Sequence, residues 1–396
     1  MRKQMKTLFG LTAMSLVLFT TSCSDNNGGD DNTSTFVLVQ DDLRGEIKDG
    51  EVTLRAGETY KLTGALIVSD KATLTIEEGV TIEATKITEA RKDVRYIAVG
   101  QGGTINVKGT AARPAVMTST EKTTGAWGGL VICGKAPINK GFPAVAEVSG
   151  LNYGGTEAND NSGTIKYLRI EYSGYNYSPE KEFNGLSMFG VGAGTTIEYV
   201  QVHEGSDDGF EWFGGTVNGR YLVVTNDAIV PDDLFDWTEG WTGTGEYWYG
   251  VRKNDGNRGI EADNNSNDHA ATPISSPTIR NLTLVGNETS TGNESQGILM
   301  RVGTQGIIDN VVLKGWKTGI EIRNDKTLEY IGGKLLITNV KFEDVATKIA
   351  GRSNAHPENV PTAETLAGAY TENAAATGAG AGSDVPNWAK GWTVGL

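Results

Sequence analysis

Two stretches of the chain bring carboxylates close together, twice over. HEGSDDGFEWFGG, from His203 to Gly215, carries Asp207, Asp208 and Glu211; PDDLFDWTEG, from Pro231 to Gly240, carries Asp232, Asp233, Asp236 and Glu239. Carboxylates about 5 Å apart repel by several tenths of a kcal/mol in water and by more where solvent is excluded. Such a group is tolerated when a cation sits between the acids, when one acid keeps its proton, or when arginines neutralise the charge. Hard oxygen ligands suit Ca²⁺, which makes Asp208, Glu211, Asp233, Asp236 and Glu261 the candidate metal set. Two carboxylates flanking a glycosidic bond would instead serve as acid and base or nucleophile. On that reading Asp208, Asp233 and Asp236 are the candidate catalytic acids, with Arg258 and Arg301 beside them. SDDGFE follows neither the EF-hand loop nor the nonapeptide calcium repeat, so no metal signature is present as such. With three histidines in the chain, His203, His269 and His356, no zinc cluster is expected. GVGAGTT, from Gly190 to Thr196, reads as a turn between strands, since no helix follows to hold a phosphate.

What positions these acids is an internal repeat. TIKYLRIEY, TIEYVQV, GRYLVVT, TIRNLTL, IIDNVVL and LLITNVKF alternate apolar and polar residues at period two, the strand pattern. They align on Tyr167, Tyr199, Tyr221, Asn281, Asn310 and Asn339. The 60-residue gap between Tyr221 and Asn281 leaves room for one more coil, near GEYWYGVRK. Between these strands runs a second column: NGLSMF, DGFEWF, DLFDWT, RGIEAD, QGILMR and TGIEIR. Its pattern is x-Gly-apolar-x-apolar-x, and Leu234 alone replaces the glycine. Two columns recurring mostly every 22 to 32 residues predict a solenoid whose coils stack strand on strand at ~4.8 Å. Apolar positions at i and i+2 point inward. The outward row is then Ser187, Glu211, Asp236, Glu261, Leu299 and Glu321, with Asp208, Asp233 and Arg258 beside it.

The stacked strands and the aligned asparagines resemble the right-handed parallel β-helix of the pectin-lyase-like superfamily, with its Asn ladder. The resemblance implies an all-β fold and the handedness, which the repeat itself does not show. Many members of that superfamily are polysaccharide lyases or hydrolases with acids on one face. The aligned Asp, His-Gly and Arg-x-Lys elements of the polygalacturonases are not found here, and fold is a poor guide to chemistry. Acids on an outer face also keep a solenoid soluble and prevent edge-to-edge stacking. For a bound glycan the expected contacts are Trp241, Trp248, Arg301 and Arg323.

The N-terminus places the protein. Arg2, Lys3 and Lys6 precede an apolar run from Leu8 to Phe19, and Thr20, Thr21 and Ser22 precede Cys23. This is an export signal over residues 1–22, and its end resembles the lipobox of bacterial lipoproteins, in which the cysteine is acylated. The acidic, Gly/Asn-rich run to residue 35 has the composition of a tether and resembles the export tag of Bacteroidota surface lipoproteins. The stretches DDGFEWFGGTVN and GLVICGKAPIN are similar to a group of β-helical lipoproteins of that phylum. With the anchor at Cys23, Cys133 has no partner and reads as a buried small hydrophobe.

The expected organisation is a signal over 1–22, anchor and tether over 23–35, β-helix over 36–350 and an Ala/Gly-rich, loosely packed tail and cap over 351–396. The net charge of −14, more negative still once the basic signal is removed, argues against nucleic acid as a partner. Gly, at 53 of 396 residues, is about twice its usual share and favours short strands and tight turns. The function expected is non-enzymatic binding or scaffolding at the outer membrane, with a glycan as ligand. A TonB-dependent outer-membrane transporter is the partner that the resemblance suggests, and a polysaccharide lyase or glycoside hydrolase is the alternative.

Overall fold

The structure is a computed structural model, which describes residues 34–89, 92–178, 181–227, 232–290, 294–353 and 363–396. The signal, Cys23 and most of the tether therefore lie outside the described residues. From Leu43 to Arg352 the chain winds as a parallel β-helix, its strands, two short antiparallel pairs apart, pairing in parallel with their counterparts one coil on. The register follows the sequence repeat. Ile165 pairs with Ile197, Ile197 with Gly219 and Gly219 with Gly245, and the coil expected near GEYWYGVRK is the strand Thr244–Arg252.

Each coil presents three sheets, one more than the two columns suggest. The long strands, such as Gly163–Glu171 and Thr196–His203, bend at the aligned Tyr or Asn. Tyr167, Tyr199, Tyr221, Tyr247, Asn281, Asn310 and Asn339 all have φ between 50° and 63°. This left-handed corner splits each strand in two: Gly163–Lys166 pairs with one preceding strand and Leu168–Ile170 with another. Asn enters the region readily, whereas Tyr does so at a cost. The tyrosines recover part of that cost by stacking in a column, with ring centroids 4.4, 4.4 and 5.0 Å apart.

In the asparagine coils the ladder is built from amides. Asn310 Nδ2 donates to Asn281 Oδ1 at 2.8 Å, and Asn373 Nδ2 donates to Asn339 Oδ1 at 3.1 Å. Between those pairs it is interrupted, because Asn339 donates to Asp309 Oδ1 at 2.8 Å while Asn310 Oδ1 accepts from the backbone N–H groups of Thr377 and Gly378. Asn310→Ala should therefore lower stability by about 1–3 kcal/mol, since partners on both sides lose a bond. Chemical denaturation would check this, and an unchanged midpoint would leave the amides without structural weight.

The short strands carry the acids: Leu186–Phe189, Phe210–Phe213, Phe235–Thr238 and Ile260–Ala262. The glycine before three of them, Gly185, Gly209 and Gly259, has a steric reason. A Cβ on Gly209 would lie 2.5 Å from the Leu234 carbonyl and 2.7 Å from Val224, and one on Gly185 2.5 Å from Val202. Leu234 breaks the pattern because its neighbour on the third sheet is Gly250, where a Cβ would meet Leu234 at 2.8 Å. One large residue and one glycine fill the same space in either order. Inside these coils Trp212, Trp237, Trp241 and Trp248 are fully buried and pack with Phe210 and Phe235.

Two additions cover the solenoid's flanks. An insert containing the antiparallel pair Ala144–Val145 and Asn152–Tyr153 lies over the outer side of the acid-bearing sheet. Its Ile138, Ala146, Val148 and Tyr153 pack on Val131, Cys133, Phe189 and Phe213. The tail corrects the expectation of loose packing. Ala363–Ala367 and Tyr370–Glu372 sit at the last coil, and residues 373–396 then run back along the Asn and Tyr columns. Trp388 meets Tyr221 edge-on at 5.2 Å, Trp392 meets Tyr167 at 5.7 Å, and Val394 N–H donates to Gln201 Oε1 at 3.0 Å. Small residues let this strap lie close: Ala379 and Ala389 are buried against Val223 and Tyr249.

Candidate functional site: a buried carboxylate column

Stacking brings the acids into register. Ser187, Glu211, Asp236, Glu261, Leu299 and Glu321 occupy one row across consecutive coils. Asn184, Asp208, Asp233 and Arg258 form the row beside it, where side chains bond to the next coil's backbone. Asp233 N–H donates to Asp208 Oδ1 at 2.8 Å, and Arg258 N–H to Asp233 Oδ1 at 2.5 Å. Oxygens from three overlapping groups lie within 4.8 Å of one another: Asp207, Asp208 and Asp232; Asp208, Glu211 and Asp236; Asp233, Asp236 and Glu261.

The column is not a solvated surface. Asp208, Asp233 and Glu261 are 6%, 3% and 5% exposed, and Asp236 Oδ1 is enclosed without a hydrogen-bond partner among the described residues. Burial, followed by the neighbouring acids, pushes Asp207 up to about 9 and raises Asp208 and Asp236 well above the usual carboxylate range. Glu211 is driven the same way by burial and by Glu147 and Asp207, against the pull of Asn184, which donates to it at 2.5 Å. Glu261 stands at about 8 and Asp233 at about 6, burial again leading; the arginines beside them pull down against it.

The arginines gather at one end. Arg258 bonds Asp233 at 3.3 Å and Glu294 at 2.9 Å and also pairs with Glu261. Arg301 bonds Asp263 at 2.7 Å and pairs with Glu261, and Arg323 bonds Glu321 at 2.8 Å. Although burial acts against its charge, Asp233 and Glu261 raise the Arg258 pKa. At the other end Asp208, Glu211 and Asp236 face one another with no ion pair among the described residues. This end fits a hard divalent cation, because it offers several carboxylate oxygens and an unsatisfied one.

The insert contributes groups that the repeat does not announce. Glu147, raised to about 6 chiefly by burial, carries the acid field outward. Glu239 accepts from Tyr153 at 2.6 Å and from Lys140 at 2.8 Å. Arg252, buried at the end of its long strand and lowered to about 10 by burial, faces Asp232 and Asp233. No spacing in the sequence links 140, 147 or 252 to the acid column, since the first two arrive from the insert and the third from the end of a long strand on another sheet.

Several sequence expectations need correction. Trp241 and Trp248 are fully buried, because the coil interior takes their rings, and neither can stack on an external glycan. Arg301 and Arg323 direct their guanidinium groups to acids of their own sheet. Of the acids expected on a solvated outer face, Asp208, Asp233 and Glu261 are buried and Glu211 and Asp236 are half-buried, since the insert packs over that sheet. Cys133 is buried and unpaired as expected, its thiol pushed up to about 12 by burial.

One family model, that of the pectate-lyase-like β-helix domain, matches residues 45–393. No curated protein and no solved structure gives a match.

Proposed function

The chain belongs to the family of pectate-lyase-like β-helix domains, and from that premise we propose that it is a non-enzymatic binding or scaffolding protein of the cell surface. The observation that carries this reading is the placement of the acid column: Asp208, Asp233 and Glu261 are each under 7% exposed, and the half-buried Glu211 and Asp236 pack among them. Carboxylates that flank a glycosidic bond must reach it, whereas these are turned to one another, to backbone N–H groups and to arginines. The column acts instead as a structural element that holds successive coils together through a shared cation, Ca²⁺ by its oxygen donors, or through shared protons. A glycan is the proposed ligand class, and lipid at Cys23 the proposed anchor in the outer membrane. The TonB-dependent transporter is a partner proposed by resemblance alone.

The test is turnover. Purified protein incubated with polyuronates and with neutral polysaccharides, with and without calcium, is expected to release neither unsaturated products nor new reducing ends. Turnover lost in Asp236→Asn would overturn the reading in favour of a lyase or hydrolase. For the location, Cys23→Ala is expected to abolish fatty-acid labelling and to release the protein from the membrane fraction. Labelling that survives the substitution would remove the anchor.

A further inference from the structure

The acid column lies in the middle coils, and an open cleft lies at the first ones. It has a volume of about 660 Å³ and is lined by Arg44, Gly64, Lys92, Asp93, Tyr96 and Tyr177 among others. That size falls within the range of small-molecule pockets.

Its aromatic wall is built in place. Tyr177 stands on the small antiparallel pair Asn176–Ser178 and Lys181–Glu182, and is 54% exposed. Its ring meets the fully buried Phe183 edge-on, with centroids 6.0 Å apart at 83°. Tyr96 packs on the same Phe183 at 5.1 Å. One buried ring thus fixes both tyrosines, and a fixed ring loses little entropy when it takes up a ligand.

The floor and opposite wall are polar. A Cβ on Gly64 would lie 3.3 Å from both Cβ and Cδ of Arg44, so the missing side chain lets the arginine stem lie along the floor. Asp42 holds Arg44 Nε at 3.1 Å, leaving the side chain 43% exposed. Lys92, paired with Glu89 at 2.8 Å, is 73% exposed.

Charges of both signs line this cleft. Asp93 and the paired acids offset the two cations, so a polyanion gains little there. An apolar ligand would take water from the exposed guanidinium and carboxylate and give no hydrogen bond in return. A ligand carrying vicinal hydroxyls satisfies both signs at once, and its C–H face suits an exposed tyrosine ring. We infer that this cleft binds a neutral oligosaccharide, with Tyr177 stacking on a sugar ring and Arg44 donating to its hydroxyls. The inference rests on the binding role proposed above and gives that role a seat away from the acid column.

Calorimetric titration of the purified full-length protein with maltotetraose, cellotetraose and mannotetraose tests it, with tetragalacturonate as the charged comparison. At least one neutral tetrasaccharide is expected to bind saturably and more tightly than tetragalacturonate. Tyr177→Ala and Arg44→Ala should each weaken that binding tenfold or more, and Tyr177→Phe should stay within about threefold of the parent because the ring remains. Melting temperatures of Tyr177→Ala and Tyr177→Phe establish that the fold is intact. No neutral binding, preference for the charged sugar, or binding indifferent to Tyr177→Ala and Arg44→Ala would each overturn the assignment. If the protein retains a glycan that both alanine variants leave untouched, the binding role stands and only the cleft is wrong. Product formation from any sugar would remove the binding role itself.

Discussion

Raising the pH from 5 to 9 in the presence of a chelator is expected to lower the melting temperature by roughly 5–10 °C, and millimolar calcium to restore most of the loss. The direction follows from the acid column. Burial, reinforced by neighbouring acids, holds Asp207 at about 9, and burial likewise holds Glu261 at about 8, Asp233 at about 6 and Glu147 at about 6. Unfolded carboxylates titrate near 4. Between pH 4 and 9 the native state therefore binds more protons than the unfolded chain, and stability falls as pH rises. The contribution of these groups is complete below about pH 4 and disappears as pH passes through 6 to 9. A displacement of one pH unit is worth about 1.4 kcal/mol, so the column as a whole accounts for several kcal/mol.

A cation bound among Asp208, Glu211 and Asp236 replaces the protons on those acids, offsets the charge of their neighbours and reduces the slope. Asp236→Asn eliminates one buried charge, so it should flatten the profile without calcium and weaken the response to calcium about tenfold. Thermal melts at five pH values, with chelator or calcium, would decide. A melting temperature constant from pH 5 to 9 in chelator would mean that the arginines alone neutralise the column, and the proposed cation would lose its reason.

The second large effect lies on the opposite flank. Trp392→Ala is expected to release the C-terminal strap at a cost of about 3–5 kcal/mol to its docking. Trp392 is 1% exposed, lies edge-on to Tyr167 and Tyr199, and donates its ring N–H to the Trp388 carbonyl at 2.8 Å. Its loss removes the largest fully buried group of the segment, leaving the half-buried Trp388 and Val385 and the small alanines to hold it. Because a solenoid is stabilised coil by coil, the strap is expected to detach while the coils persist. Limited proteolysis should then cut within residues 374–396 far faster than in the parent, with the calcium response of the acid column unchanged. Equal cleavage of the two proteins would show that the strap is held by its backbone contacts, such as Val394 with Gln201.

The corner residues show how far the one-dimensional pattern reaches. Tyr167, Tyr199, Tyr221, Asn281, Asn310 and Asn339 line up in sequence and line up in space, because a solenoid turns a period along the chain into a column along its axis. For the same reason Glu211, Asp236 and Glu261 were legible as one row before any coordinate was known. The left-handed bend at those corners was not legible, since a residue type alone does not fix φ, and so three sheets read as two.

What the sequence by itself determined here is whatever repeats: the stacking of coils, the inward apolar positions and the alignment of the acids. The tertiary structure alone decided what covers them. The insert that brings Glu147 and Tyr153 over the column and the strap that closes the tyrosine column each occur once, outside the period. Whether a carboxylate is solvated or buried depends on such unrepeated segments, and burial is what moves its pKa and removes it from the reach of a substrate.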